Sequence, residues 1–193
     1  MRNTNLRKTI ILIILVGFVP LLNAEDKRSL PLDMYLIIDG SSSLESSKSE
    51  TIAWINDQVI DRILMDGDKI TIWTAGERAR IIHSDTLSGA AGKKEIKDKL
   101  AALETGGKAA DFSGALSDVA SRLSQSSGQN RLPYTMLVTA SAEGMEPALS
   151  GSSQGLFRWF RSEKYERWQV LVVAPDIGRK VQQTAAAYMS SRR

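Results

Sequence analysis

Apolar residues fall along this chain in two rhythms. Short continuous runs stand at Met34–Asp39 (MYLIID), Lys69–Thr74 (KITIWT), Tyr134–Thr139 (YTMLVT) and Gln169–Ala174 (QVLVVA). Runs of this length, rich in β-branched residues, predict strands, and apolar residues at successive positions predict burial on both faces of a sheet. Between the runs the spacing becomes helical. Glu45–Leu64 carries Ile52, Ile55, Val59, Ile60, Ile63 and Leu64 on one side, and Asp66-Gly67 stops it. Lys93–Leu103 turns Ile96, Leu100 and Leu103 inward. Asp111–Leu123 does the same with Phe112, Leu116, Val119 and Leu123, with Asp111 placed to cap it. Leu156–Tyr165 and Gly178–Met189 complete the helices. Arg78–His83 (RARIIH) follows the tight turn Ala75-Gly76-Glu77 and is expected to fold back as a hairpin strand.

Strands that alternate with helices require crossover connections, so the fold class is α/β with a mainly parallel central sheet and one antiparallel edge strand at 78–83. In such a sheet a ligand crevice lies at the carboxyl ends of the central strands. The loops that matter are therefore those after Asp39, Gly107, Thr139 and Ala174. The last strand leads through Ala174-Pro175-Asp176-Ile177-Gly178 straight into the final helix, so five strands are expected, or a very short sixth.

Residues 1–24 follow a different logic. Arg2, Arg7 and Lys8 precede the apolar run Thr9–Ala24, which ends on Asn23 and a small residue. This is the layout of a secretory signal peptide cleaved after Ala24. The run is short for a spanning helix, and Pro20 breaks its last turn. An uncleaved anchor is the alternative, and both place Glu25 onward outside the cytoplasm, periplasmic or secreted. The domain organisation expected is a leader at 1–24, a linker at 25–31 and one domain at 32–193.

Of the 25 basic residues, three lie in the leader, which leaves the rest level with the 22 acids. A neutral body gives no bulk attraction for nucleic acid, which is not expected as a partner. Lys93, Lys94, Lys97 and Lys99 are interrupted by Glu95 and Asp98 and read as a solvated helix face. The chain has no cysteine and one histidine, His83. Disulfides, thiolate zinc sites, thiol nucleophiles and histidine-rich metal sites are thereby excluded.

The candidate chemistry sits directly after the first strand, in Asp39-Gly40-Ser41-Ser42-Ser43. An acid followed by hydroxyls two and four residues later gathers three hard oxygens at a strand end, the donor type that magnesium or manganese prefers. This D-x-S-x-S loop, together with the order strand, helix, hairpin, helices, strand, helix, strand, helix over residues 32–190, resembles a von Willebrand factor A-type (vWA) domain with its metal-ion-dependent adhesion site. The resemblance implies a Rossmann-like three-layer α/β/α sandwich, with Asp39, Ser41 and Ser43 as metal ligands. It also implies a threonine ligand in the loop Gly106–Asp111, at a position held here by Ala110, and a second aspartate at the end of the fourth strand, held here by Ala140. The site is thus expected to be degenerate, binding Mg2+ or Mn2+ weakly, with Asp111, Ser141 or Glu143 as substitutes for the missing oxygens. The same residues also suit a structural role, in which Asp39 accepts hydrogen bonds from the loop and Ser43 caps the next helix.

Two further patterns carry less. Gly151-Ser152-Ser153-Gln154-Gly155 matches a nucleophile elbow, but it follows a loop and the lone histidine precedes it. His83 is expected to be a strand-end residue without a catalytic role. Leu156–Trp168 interleaves aromatics with Arg158, Arg161 and Arg167; it reads first as a helix packed on the sheet, with Trp159 or Trp168 available at the surface. The function expected is a non-catalytic, exported protein-binding module of adhesion or scaffold type, with Ser141, Glu143 and Asp111 near the partner. The partner is another protein of the cell envelope or exterior; membrane contact is expected only if the leader is uncleaved. The alternatives are a membrane-anchored structural subunit of an envelope complex and, behind it, a serine hydrolase using Ser153 or Ser41.

Overall fold

The computed structural model describes residues 28–126, 130–140 and 168–174. Among the described residues five strands form one sheet in the order β3-β2-β1-β4-β5. They are β1 Leu32–Asp39, β2 Lys69–Ala75, β3 Ala79–Thr86, β4 Leu132–Val138 and β5 Gln169–Val173. All neighbours run parallel except β2 and β3, which pair antiparallel as the hairpin at the edge. Helix α1 spans Lys48–Trp54, α2 Gly89–Ala101 and α3 Phe112–Gln125. The helices expected at Leu156–Tyr165 and Gly178–Met189 lie outside the described residues.

The central strand β1 is buried along its whole length because both of its faces are covered. Strand side chains alternate. Met34, Leu36 and Ile38 join one core with Ile55, Val59 and Ile60 beyond α1 and with Ile96 and Leu100 of α2. Tyr35 and Ile37 join the other with Phe112, Leu116 and Val119 of α3. Helices on both sides of a sheet make the three-layer sandwich. The α3 layer is pinned to the sheet at Trp73, whose indole N–H donates to Asp118 at 3.0 Å while the Arg122 guanidinium stacks 5.4 Å from the ring centre.

Several elements differ from the sequence reading. The long helix expected over Glu45–Leu64 has three pitches: a tight 3-10 turn at Ser42–Ser47, then α1, then a π turn at Ile55–Asp61. The wider π turn brings Ile55, Val59 and Ile60 inward together, each fully buried, which a regular α pitch does less well. Helix α2 begins four residues before Lys93, in Gly89-Ala90-Ala91-Gly92, whose small side chains carry no apolar rhythm. The hairpin strand runs on to Thr86, so His83 lies inside β3 rather than at its end. Its Nδ1 stands 3.7 Å from the Glu95 carboxylate of α2. Trp168 is buried, not available at the surface, and donates its indole N–H to the Thr135 hydroxyl at 2.7 Å.

Candidate functional site

The register of the central strands sets the geometry at their carboxyl ends. Pairing of Ile38 with Val138 brings the residues that follow them, Asp39 after β1 and Thr139 after β4, side by side. Asp39 is 2% exposed. A charge this buried needs donors around it, and three supply them. The Ser41 amide donates to Oδ1 at 2.8 Å. The Thr139 hydroxyl donates to Oδ2 at 2.9 Å and the Ser43 hydroxyl to the same oxygen at 3.2 Å. The Ser41 and Ser43 hydroxyls lie 2.7 Å apart. Asp39, Ser41 and Ser43 therefore converge on one point. Ser43 does not cap a helix: it lies inside the 3-10 turn at Ser42–Ser47 with its hydroxyl turned back to Asp39, and neither that turn nor α1 has a side-chain cap.

Thr139 is the participant that the sequence reading missed. Its sequence signal was only a hydroxyl closing an apolar run, and its partner is 100 positions away.

A second set of bonds joins the neighbouring loop. The amides of Gly106 and Gly107 both donate to the Gly40 carbonyl at 3.2 Å, and the Ser42 amide donates to the Gly107 carbonyl at 2.9 Å. Gly40 in turn donates to the Ala75 carbonyl at 2.8 Å. Gly40 has to be glycine: a Cβ there would stand 2.5 Å from the Thr74 hydroxyl and 3.0 Å from the Gly76 amide nitrogen. The loops after β1, β2 and α2 are thus joined backbone to backbone.

Asp111 lies near this assembly but faces elsewhere. It is the N-cap of α3: Oδ1 accepts from the Gly114 amide at 2.8 Å, and Oδ2 accepts from the Ala79 amide of the hairpin at 3.2 Å. Ala110 packs toward the α3 side of the core, and Ala140 toward the α1 and α2 side. Ser141 and Glu143, expected near the partner, lie outside the described residues, as does Ser153.

Comparison with known proteins bears on the fold. The manganese-loaded TRAP protein of Plasmodium vivax superposes with a TM-score of 0.57 at 17% identity, over 75% of this chain and 58% of that one. A von Willebrand factor type A protein of Catenulispora acidiphila superposes at 0.52 with 15% identity, over 74% of this chain. The fold is that of a von Willebrand factor A-type domain. Proximal thread matrix protein 1 of the mussel byssus has the vWA-like fold too, with a TM-score of 0.54 and 15% identity over 75% of this chain and 38% of that one. Another structure of it holds zinc in its MIDAS motif. This chain spans about a third of the Catenulispora protein (33%), so these likenesses concern the vWA-like domain alone. In sequence, an uncharacterized protein of Treponema pallidum (strain Nichols) is 24% identical over 169 residues, 82% of this chain and 75% of that protein. No family model matches the chain.

Whether the Asp39 loop suits a divalent ion turns on its donors. The oxygens gathered here are the Asp39 carboxylate and the hydroxyls of Ser41, Ser43 and Thr139, with alanine at 110 and 140. Oδ2 of Asp39 already accepts from two hydroxyls, and both oxygens of Asp111 accept from backbone amides. Among the described residues no three His, Cys, Asp or Glu side chains are grouped to hold a metal. One negative charge and a few neutral oxygens are a sparse set, since affinity for such ions follows ligand number and charge.

Proposed function

We propose that this chain is a non-catalytic protein-binding module, exported from the cytoplasm, that meets another protein of the cell envelope or exterior through the loops at the carboxyl end of its sheet. Its Asp39 site holds a divalent cation weakly or not at all. The observation that carries this reading is the closed hydrogen-bond set of Asp39. Its oxygens are met by Ser41, Ser43 and Thr139, so the loops are fixed by the chain's own donors. The vWA-type fold supports the binding role, because structures that share it include a byssus matrix protein. The non-catalytic reading has support in the serines: the Ser41 hydroxyl faces another serine, not a base. Export rests on the leader in residues 1–24.

Two measurements test the proposal. Thermal unfolding is followed while Mg2+ or Mn2+ is raised to about a millimolar. A ion held only by the folded state at 100 times its dissociation constant adds about 2.7 kcal/mol. The expected shift in Tm is within error, and a rise of several degrees with either ion would show a working metal site. Capture from a cell-envelope extract is then compared between wild type and a variant carrying Asp39→Ala with the 141–153 loop replaced. Capture that persists unchanged in the variant removes the loop face as the binding surface.

A further inference from the structure

Strand β3 closes the hairpin side of the sheet, and among the described residues no strand pairs with its outer edge. An edge of eight residues is a template for another strand unless something blunts it. Its two ends are blunted: the Ala79 amide donates to Asp111 at 3.2 Å and the Thr86 amide to Asp85 at 2.7 Å. Between them Ile81 is 42% exposed, one of two large apolar side chains so exposed among the described residues. The hairpin register gives this edge a symmetry that its sequence lacks. Asp85, His83 and Arg80 stand opposite Ile70, Ile72 and Thr74, alternate residues of β2, so all three lie on one face of the sheet. Their spacing in sequence is uneven, two residues and then three, because Ile82 is an extra residue on β3. In the sheet it is even, with Arg80 and Asp85 at equal strand distances on either side of His83. Without the extra residue the two charges would fall on opposite faces. Both side chains are exposed, and neither forms an ion pair with a described residue.

We propose that β3 pairs antiparallel with β3 of a second copy of this chain about a two-fold axis at His83, joining the two sheets into one. Symmetric pairing sets Arg80 of each copy across from Asp85 of the other, so the ion pair forms twice, and it sets Ile81 across from Ser84. Bulges and charges ordinarily keep strands off an edge. Here they select the strand: a foreign one leaves both charges unpaired, whereas the chain's own β3 meets each with its opposite. Helix α2 lies on the same face, where Glu95 comes within 3.7 Å of His83, so the two-fold also brings the α2 helices of the two copies toward the seam. The parallel strands of the two copies run in opposite directions, and their Asp39 ends point opposite ways. The dimer is thereby a two-headed bridge. That consequence rests on the binding-module reading; the pairing itself does not.

Sedimentation velocity of the full chain, in a mild detergent that keeps the leader in solution, tests the pairing. Monomer is expected to pass to dimer between about 5 and about 500 µM, the weak range of a small interface. Arg80→Asp sets two acids across from each other and Asp85→Arg sets two arginines, so each alone should weaken dimerisation at least tenfold. An equimolar mixture of the two variants should dimerise again, because each offers only the charge that the other lacks. A chain carrying both substitutions should return to within about threefold of the wild-type affinity. An unchanged near-UV circular dichroism spectrum shows that each variant is folded. A wild type that stays monomeric throughout, association indifferent to both single substitutions, or single variants that neither the mixture nor the double substitution rescues overturns the pairing. If dimers follow the charges but capture of a partner is lost to no substitution of the loop face, the pairing stands and the two-headed bridge falls with the binding module.

Discussion

The Asp39 carboxyl group is 2% exposed, so the donors around it are a condition of folding as much as of function. Thr139 supplies the one that comes from another strand. Thr139→Val keeps the shape and removes the donor, and it should cost about 1–2 kcal/mol in urea unfolding, the range for a hydrogen bond to a charged group. A change within error would mean that a water takes its place. Gly40 is constrained for a different reason. Gly40→Ala should lower stability by roughly 1–3 kcal/mol, because the new methyl group meets the Thr74 hydroxyl and the Gly76 amide in a space already full. The same substitution at Gly76, where a Cβ would meet nothing within 4 Å, serves as the control.

At the scale of elements, α3 shows how a cap also joins two parts of the fold. Asp111 caps the helix and accepts from the Ala79 amide at the start of β3. Asp111→Ala should therefore cost more than an ordinary cap, about 2 kcal/mol against a typical 1, read from the urea midpoint. Asp111→Asn, which keeps an acceptor for Gly114, should recover part of it. The strand β1 gives a pH prediction. The Tyr35 hydroxyl donates to Asp33 at 2.8 Å. Its pKa is raised well above the ordinary 10.0, chiefly by burial and then by the Asp33 charge and that hydrogen bond. Burial also raises Tyr134 on the adjacent strand. The folded state then keeps protons that the unfolded chain releases above 10.0, so stability is present below that pH and falls as pH rises past it. Tyr35→Phe should flatten this alkaline fall, measured as urea midpoint from about pH 8 to 11, and cost about 1 kcal/mol near neutrality for the lost bond to Asp33. An unchanged alkaline slope would exclude Tyr35 as its source.

The whole molecule is organised between two poles. At the amino ends of the parallel strands, Asp68 is 1% exposed and accepts from the Leu32 amide at 2.7 Å, the Met65 amide at 2.9 Å and the Arg28 guanidinium at 3.1 Å. This clasp fixes the segment before β1. Arg28→Ala should lower stability by about 1–3 kcal/mol without altering capture of a partner, since the loop face lies at the other end of the strands. At the carboxyl ends stand Asp39 and Gly40. The sequence by itself determined the strands, because residues buried on both faces must be apolar at every position: MYLIID and YTMLVT admit little else. It also determined the cap at Asp111 and the gathering of Asp39, Ser41 and Ser43, since these are local spacings within a few residues. Only the tertiary structure decided what those groups face. Thr139 reaches Asp39 because two strands pair in register across a hundred positions, and Asp111 turns to Ala79 because the hairpin packs beside α3. Arg80 stands across from Thr74 because Ile82 is an extra residue on β3, between His83 paired with Ile72 and Ile81 paired with Trp73, a shift that no local pattern encodes. Side-chain period and capping are properties of neighbouring residues, whereas the partner of a buried charge is set by which strands lie side by side.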